Sequence, residues 1–124
     1  MRNYLFRGKK SCGDDHGWTE GCLSFFSPAV AYIDSEKGIT CPVDPDTVGE
    51  YFEWCDASGK KIFTGDIVKI DSALIGEVGF DPKRLEYTIT ARGMLIPFGP
   101  FLHSNIEIIG NIYDNPELVA EDEE

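Results

Sequence analysis

Short runs of strand-forming residues, separated by turn residues, are the feature that most constrains how this chain folds. Its 13 glycines and 7 prolines are spread along 124 residues, so they interrupt the sequence before a long helix can develop. The segments between them are rich in β-branched and aromatic residues, which favour strands. Clear examples are WTEGCLSFF, LEYTITA and IEIIGNIY. The sequence therefore predicts a mainly β fold with little helix.

The stretch KKIFTGDIVKI, residues 60–70, carries a Gly-Asp pair in the middle of such a run. Glycine at position 65 permits a positive φ or the close approach of another strand, and an Asp66 carboxylate can accept backbone hydrogen bonds in a turn. We therefore predict that Gly65 and Asp66 form a structural turn between two strands. The alternative is that Asp66 is an exposed carboxylate that binds a metal or a substrate.

Two hairpins are also predicted. AVAYID and GITCPV pair across SEKG, and Pro42 confines the second of these strands to the edge of a sheet. Asp56, Ser58 and Gly59 supply the turn that precedes residue 60. The segment VDPDTVGEY stays open between a strand and a short helical turn.

The spacing of the short strands favours a small barrel or a sandwich. Residues 65–68, GDIV, followed by residues 76–78, GEV, are similar to the pattern of small SH3-like barrels, including versions that bind nucleic acid. We predict a single barrel-like domain over residues 1–119, with the SH3-like pattern in its C-terminal half. Residues 120–124 are predicted to form an acidic tail.

The chain is strongly acidic. Eleven basic and 22 acidic residues give a net charge of −11, and removal of the five carboxylates in the C-terminal PELVAEDEE still leaves −6. Such a charge repels a phosphate backbone, so we predict no nucleic-acid partner. An alternative function is DNA mimicry, in which these carboxylates occupy the basic groove of a host protein.

The sequence contains no candidate membrane segment. No apolar run approaches the roughly 20 residues of a membrane helix, and the N-terminal segment lacks the uninterrupted apolar core of a signal peptide. We predict a cytoplasmic protein that does not bind a membrane. Cys12, Cys22, Cys41 and Cys55 stand singly along the chain, so thiols are expected in that reducing compartment instead of a disulfide framework.

Cys12, His16 and Cys22 are the strongest candidates for chemistry. Their spacing is Cys-x3-His-x5-Cys, and thiolate and imidazole are ligands that zinc prefers. The spacing matches no closed zinc motif, and a turn rich in Gly and Asp accounts for the same residues. A nucleophilic pair would need a thiol close to His16 or His103 in space. We therefore predict no catalytic, cofactor-binding or metal-binding residue and no cofactor, with a metal- or thiol-dependent enzyme as the alternative function.

Three aromatic residues are candidates for an interaction surface, since large rings often anchor interfaces. Trp54 is one of them. Phe98 and Phe101 bracket a Gly-Pro pair in PFGPF, where a loop can present a ring to a partner. The alternative for each is a place in the core, because aromatic rings supply much of the interior of a small domain.

Four segments together resemble the YopX family of small phage and prophage proteins. They are FRGKK, TVGEY, SGKKIFTGDIVKI and IEIIGNIYDNPELV, which touch both ends and the middle of the chain. The chain departs from the family pattern after Tyr51, where FEWC replaces a short link that contains Thr and Gly. The resemblance implies a mainly β fold, a phage or prophage setting and no established activity, and it brings no catalytic residues. We therefore expect a protein-binding or assembly module with a protein partner still to be identified, and exposed strand edges also predict a homo-oligomer.

Overall fold

Antiparallel strands make up most of the described chain. The computed structural model describes residues 5–11, 17–101 and 104–120. Its strands form two antiparallel sheets, which confirms the predicted mainly β fold with little helix. The strands in the described residues do not close into a barrel, so the barrel-like and SH3-like features stay predictions. The chain groups into two compact units, Met1–Tyr51 and Phe52–Glu124.

The first unit contains four strands and the start of a fifth. Their bounds are β1 Phe6–Lys9, β2 Trp18–Phe26, β3 Ala31–Asp34, β4 Thr40–Val43 and β5 Gly49–Cys55, with a 3₁₀ helix at Pro45–Thr47. The order in this unit is β4-β3-β2-β1-β5. Strand β4 lies at the edge, which suits Pro42 because proline has no N–H to donate to a further strand. The segment VDPDTVGEY forms both of its alternatives, a 3₁₀ turn and then the beginning of β5.

The end of β1 approaches β4 closely. Lys10 forms an isolated antiparallel bridge with Val43. Gly8 permits this approach, because a Cβ at that position would lie only 2.8 Å from Val43 Cγ2. The 3₁₀ helix is hydrogen-bonded to β1, since the Lys9 N–H donates to Thr47 Oγ1 at 2.9 Å. The core enclosed by these strands consists of buried Ala31, Ile33 and Val43, with Phe6, Leu23 and Val48 packed against them.

The second unit contains the end of β5 and six further strands. Their bounds are β6 Lys61–Phe63, β7 Asp66–Ile70, β8 Leu74–Asp81, β9 Glu86–Ala91, β10 Met94–Pro97 and β11 Ile106–Asn111, with a 3₁₀ helix at Gly99–Phe101 and the short helix α1 at Glu117–Ala120. Strand β6 lies next to β5, and the other five form a sheet in the order β10-β9-β8-β7-β11. The buried core of this unit is Ile62, Val68, Ile70, Val78, Ile89, Ala91, Phe98 and Ile106.

Strand β7 is covered on both faces. Alternation of the sequence places Ile67 on the same face as Lys69 and opposite Val68. Ile67 and Val68 are nevertheless both 0% exposed. The face that carries the lysine is therefore also part of the interior at Ile67.

Several predictions fall partly or wholly outside what the structure describes. Residues 121–124 of the predicted tail are not among the described residues, so the boundary at residue 119 stays a prediction, as does the single domain over residues 1–119. Cys12 also lies outside them, whereas Cys22 and Cys55 are exposed and Cys41 is half-buried. In the described part of the chain, no helix has the length and apolar character that a membrane span requires.

Candidate functional site

Residues 25–32 form a hairpin where β2 connects to β3, and all of them except Ser27 and Ala31 are exposed. Their sequence is FFSPAVAY, in which Ser27 is the single residue that is neither apolar nor aromatic. Phe25 and Phe26 are each 53% exposed, Val30 is 39% exposed and Tyr32 is 37% exposed. Large apolar side chains that are grouped in water often mark an interaction site. We call residues 25–32 the apolar hairpin.

A β-bulge turns Phe25 away from the core. Leu23 pairs with Ile33 across the β2–β3 ladder and Phe25 pairs with Tyr32, so the register shifts between them. Without the extra residue, Leu23 and Phe25 would lie on one face, because side chains alternate along a strand. With it, Leu23 packs against the core, whereas Phe25 lies beside Tyr32 with the ring centroids 6.3 Å apart.

Ser27 orders the tip of the apolar hairpin. Its N–H donates to the Val30 carbonyl at 2.8 Å. Its Oγ accepts hydrogen bonds from the N–H groups of Ala29 at 3.3 Å and Val30 at 3.1 Å, and donates to the Val30 carbonyl at 3.2 Å. Pro28 adds a fixed φ within the same turn. The aromatic side chains are therefore presented on an ordered backbone, which reduces the entropy that binding costs.

A cleft of about 620 Å³ adjoins the apolar hairpin within the first unit. Ala29, Val30 and Ala31 line one part of it, and Lys9, Lys10 and Asp44 are among the residues that line the rest. The Asp44 N–H donates to the Lys9 carbonyl at 2.9 Å, which holds the 3₁₀ turn against the end of β1. The cleft thus places charges of both signs beside apolar side chains. This mixture resembles the apolar centre and polar rim of a protein interface.

The apolar hairpin was not predicted as a site from the sequence, although its pattern of residues gives a signal. FFSPAVAY lacks the alternation of apolar and polar residues that a half-buried strand shows. Two short strand ends joined by a tight turn cannot bury every large side chain in such a run. An apolar run that is interrupted only by a Ser-Pro turn is therefore the pattern that predicts exposed apolar side chains here.

Gly65 and Asp66 lie where β6 turns into β7. Gly65 has a φ of 96°, its N–H donates to the Val78 carbonyl at 2.8 Å, and its carbonyl accepts from the Ile112 N–H at 2.9 Å. Asp66 is 2% exposed, and its Oδ2 accepts from the Phe63 N–H at 2.8 Å. The carboxylate is thus buried and accepts a hydrogen bond within the turn.

The three aromatic residues predicted as an interaction surface lie in different environments. Trp54, on β5, is 38% exposed. Phe98 is 5% exposed and belongs to the core of the second unit, where its N–H donates to the Tyr87 carbonyl at 2.9 Å. Phe101 is half-buried and packs against the same core. Trp54 is therefore the one of these three residues with a large exposed ring.

The proposed metal or thiol site falls mostly outside the described residues. Cys12, His16 and His103 all lie there, so this alternative stays a hypothesis. Cys22 is exposed on β2 and pairs with Asp34 across the β2–β3 ladder. Among the described residues, no three His, Cys, Asp or Glu side chains are grouped in a way that could hold a metal ion.

A family model described as YopX protein matches residues 22–120. The chain belongs to the YopX family. This confirms the resemblance predicted from the sequence. The YopX match begins at Cys22 and therefore includes the whole apolar hairpin and all of the strands from β3 onward. No curated protein matches the chain.

Proposed function

We propose that this YopX-family protein is a binding or assembly module of a phage or prophage, and that it binds another protein through the apolar hairpin. The observation that carries the proposal is the exposure of Phe25, Phe26, Val30 and Tyr32 on a backbone ordered by Ser27. Full burial of a fully exposed side chain of this size is worth about 1.5–3 kcal/mol, and these side chains are already about half-buried or more, so each supplies about half of that or less. Together they offset part of the entropy cost of association.

The charge of the chain selects the kind of partner. Two copies that each carry a net charge of −11 repel each other, whereas a basic protein is attracted over long range. The proposed partner is therefore a basic protein with an apolar groove that accepts the hairpin. A second copy of the chain is the competing occupant, and it corresponds to the predicted homo-oligomer.

The setting and the finer architecture belong to the same proposal. A phage or prophage origin rests on membership of the YopX family. A cytoplasmic location follows from the apolar-run and cysteine patterns of the sequence. A barrel-like fold is supported by the bridge between Lys10 and Val43, and an SH3-like C-terminal half by the turn at Gly65 and Asp66.

The two alternative functions predict different experimental results. An enzyme that uses Cys12, His16 and Cys22 as metal ligands would retain zinc after purification without an affinity tag. A DNA mimic would compete with duplex DNA for a basic DNA-binding protein through its carboxylates. The proposed function instead requires apolar side chains, so its test changes these and leaves the charge constant.

The test compares wild-type protein with two double variants of equal charge. Phe25→Ser/Phe26→Ser removes two rings from the apolar hairpin. Met94→Ser/Leu95→Ser is the matched control, because these neighbours on β10 are 59% and 58% exposed. A partner captured from host cells is purified and titrated with all three proteins by calorimetry. We expect the hairpin variant to bind at least about 100-fold more weakly, as for the loss of interface anchors, and the control to match wild type.

Two results would contradict the proposal. One is wild-type affinity in the hairpin variant. The other is a captured partner whose binding is weakened equally by both double variants. Light scattering of the free protein distinguishes the competing occupant, since a dimer that dissociates only in the hairpin variant would identify a second copy as the ligand of the hairpin.

A further inference from the structure

A second cleft, of about 520 Å³, lies within the second unit and has a different character. It is lined mainly by polar and charged residues from the turn between β5 and β6, from β7 and the turn that follows it, and from β11. Its volume is in the range of small-molecule sites. The side chains that matter for its chemistry are Lys60, Lys69, Ser72, Asn105 and Glu107.

Asp56 fixes one wall of this cleft. The residue is 7% exposed, and its Oδ1 accepts hydrogen bonds from the Ser58 N–H at 2.9 Å, the Ser58 hydroxyl at 2.8 Å and the Lys60 N–H at 2.9 Å. Its Oδ2 accepts from the Ile108 N–H at 3.1 Å, which ties the turn to β11. Burial raises the pKa of the Asp56 carboxyl, but these four hydrogen bonds together outweigh it, and the pKa lies below its usual value.

The tight turn after β7 forms another part of the lining. Asp71 and Ser72 have φ values of 51° and 60°, in the left-handed region that residues other than glycine seldom adopt. They are held there by Asn105, because the Asp71 N–H donates to the Asn105 carbonyl at 2.8 Å and the Asn105 N–H donates to Asp71 Oδ1 at 2.8 Å. Positive φ at two successive residues is the usual geometry of a tight hairpin turn, and the hydrogen bonds to Asn105 hold this turn against the residue that precedes β11.

Two ammonium groups line the cleft without a carboxylate partner. Within the described residues, neither Lys60 nor Lys69 forms an ion pair, although the β7–β11 register places Glu107 directly across from Lys69. Lys69 is half-buried, and a partly desolvated charge interacts more strongly with a ligand than one in open water. The Asp56 carboxylate is ionised and adds its own negative charge to the lining, but its oxygens accept hydrogen bonds from its own turn and from β11, and among the described residues it forms no ion pair with Lys60 or Lys69.

We infer that this cleft binds a small oxyanion, a phosphoryl or carboxylate group, between Lys60 and Lys69. Lysine binds such groups as a point charge, and the Ser72 hydroxyl and Asn105 amide add neutral donors. Glu107 accepts a hydrogen bond from a hydroxyl or amine of the same ligand, and it repels an anion that lacks one. The ligand class is therefore a small phosphate or carboxylate that also carries a donor. The inference is independent of the apolar hairpin, which lies in the other unit.

The experiment titrates the full chain with inorganic phosphate and, separately, with acetate, and follows backbone amide signals by NMR. Expected shifts are confined to residues 56–60, 69–72 and 105–108. Lys60→Gln and Lys69→Gln should each weaken binding about tenfold, as for one charge-assisted hydrogen bond. Glu107→Gln should strengthen the binding of acetate, because acetate carries no donor for that carboxylate. Lys83→Gln is the control, since Lys83 is exposed and does not line the cleft.

A loss of binding in Lys60→Gln and Lys69→Gln that Lys83→Gln does not show separates a built site from general attraction to positive charge. Shifts with one probe alone assign the cleft to phosphoryl or to carboxylate ligands. The inference is overturned if neither probe shifts these amides, if Lys83→Gln weakens binding as much as the other two lysine variants, or if Glu107→Gln weakens the binding of acetate. Lys60→Gln alone decides the matter if Lys69→Gln fails to fold, because Lys60 is exposed.

Discussion

At the scale of single residues, Gly21 occupies a position with no room for a side chain. It is buried on β2, and a Cβ there would lie 1.9 Å from the Asp34 carbonyl oxygen. Gly21→Ala is expected to lower the free energy of unfolding by at least about 2 kcal/mol, because the backbone of β3 would have to move. Urea titration checks this. Gly79→Ala is the control, as its Cβ would meet only Thr88 Oγ1 at 3.5 Å, and equal midpoints for both variants would refute the steric argument.

Asp56 provides a second prediction at this scale, with a defined dependence on pH. Asp56→Ala should cost about 2–3 kcal/mol at pH 7, because four donors lose a charged acceptor. The folded-state pKa is lower than the ordinary value of 3.8, so the contribution is complete above that value and is lost as the pH falls through the lowered pKa. The stability difference between wild type and variant should therefore shrink only in acid. A difference that stays constant to pH 2 would contradict it.

The same residues show what sequence can predict at single positions. Turn chemistry is local, so Asp56, Ser58 and Gly59 were placed in a turn from their order alone. The reason that position 21 is glycine is not local, since the obstructing carbonyl belongs to a residue on the next strand. Likewise, nothing in the sequence around Asp56 indicates that the Ile108 N–H is its fourth donor.

At the scale of elements, strand positions were predictable but the direction of side chains was not. WTEGCLSFF and the hairpin across SEKG appear as β2, β3 and β4, because strand propensity and turn residues act over a few positions. The bulge after Leu23 depends on pairing with β3, and it decides that Phe25 is exposed. Phe98 shows the converse, since its hydrogen bond to Tyr87 and its burial in the core depend on distant strands. Exposed rings were therefore predicted at Trp54, Phe98 and Phe101, of which Phe98 is buried, whereas the exposed rings of Phe25 and Phe26 were not predicted.

The contact between β1 and β4 yields a prediction for a pair of elements. Gly8→Ala should destabilise the protein by about 1–3 kcal/mol, because its Cβ would overlap Val43, which is 2% exposed. Val43→Ala alone should cost a comparable amount through the cavity that it leaves. The double variant should be more stable than the sum of the two losses predicts, since the smaller side chain at position 43 makes room for the new methyl group. Denaturant titration of wild type, the two single variants and the double variant gives this coupling energy. Strict additivity would mean that positions 8 and 43 are not in steric contact.

At the scale of the whole molecule, composition was sufficient for the fold class and insufficient for the organisation into units. Frequent Gly and Pro exclude long helices wherever they occur, so the mainly β prediction needs no knowledge of pairing. The division between the compact units falls between Tyr51 and Phe52, inside β5. A division within a strand has no Gly-, Pro- or Ser-rich linker to mark it in the sequence.

The net charge of the whole molecule leads to the last prediction. Binding to duplex DNA is driven by the release of counterions when Lys and Arg neutralise phosphates, and a protein with a net charge of −11 opposes that process. An SH3-like pattern alone does not make this electrostatic contribution to DNA binding favourable. The full chain is therefore expected to give no gel shift with duplex DNA or RNA at physiological salt. The cleft that contains Lys60 and Lys69 does not alter the expectation, because two ammonium groups neutralise too few phosphates to hold a duplex.

Sub-micromolar binding that weakens steeply as salt is raised would show that local basic groups outweigh the overall charge. Displacement of DNA from a basic DNA-binding protein by the intact chain, unaffected by Phe25→Ser/Phe26→Ser, would instead favour DNA mimicry over binding through the apolar hairpin.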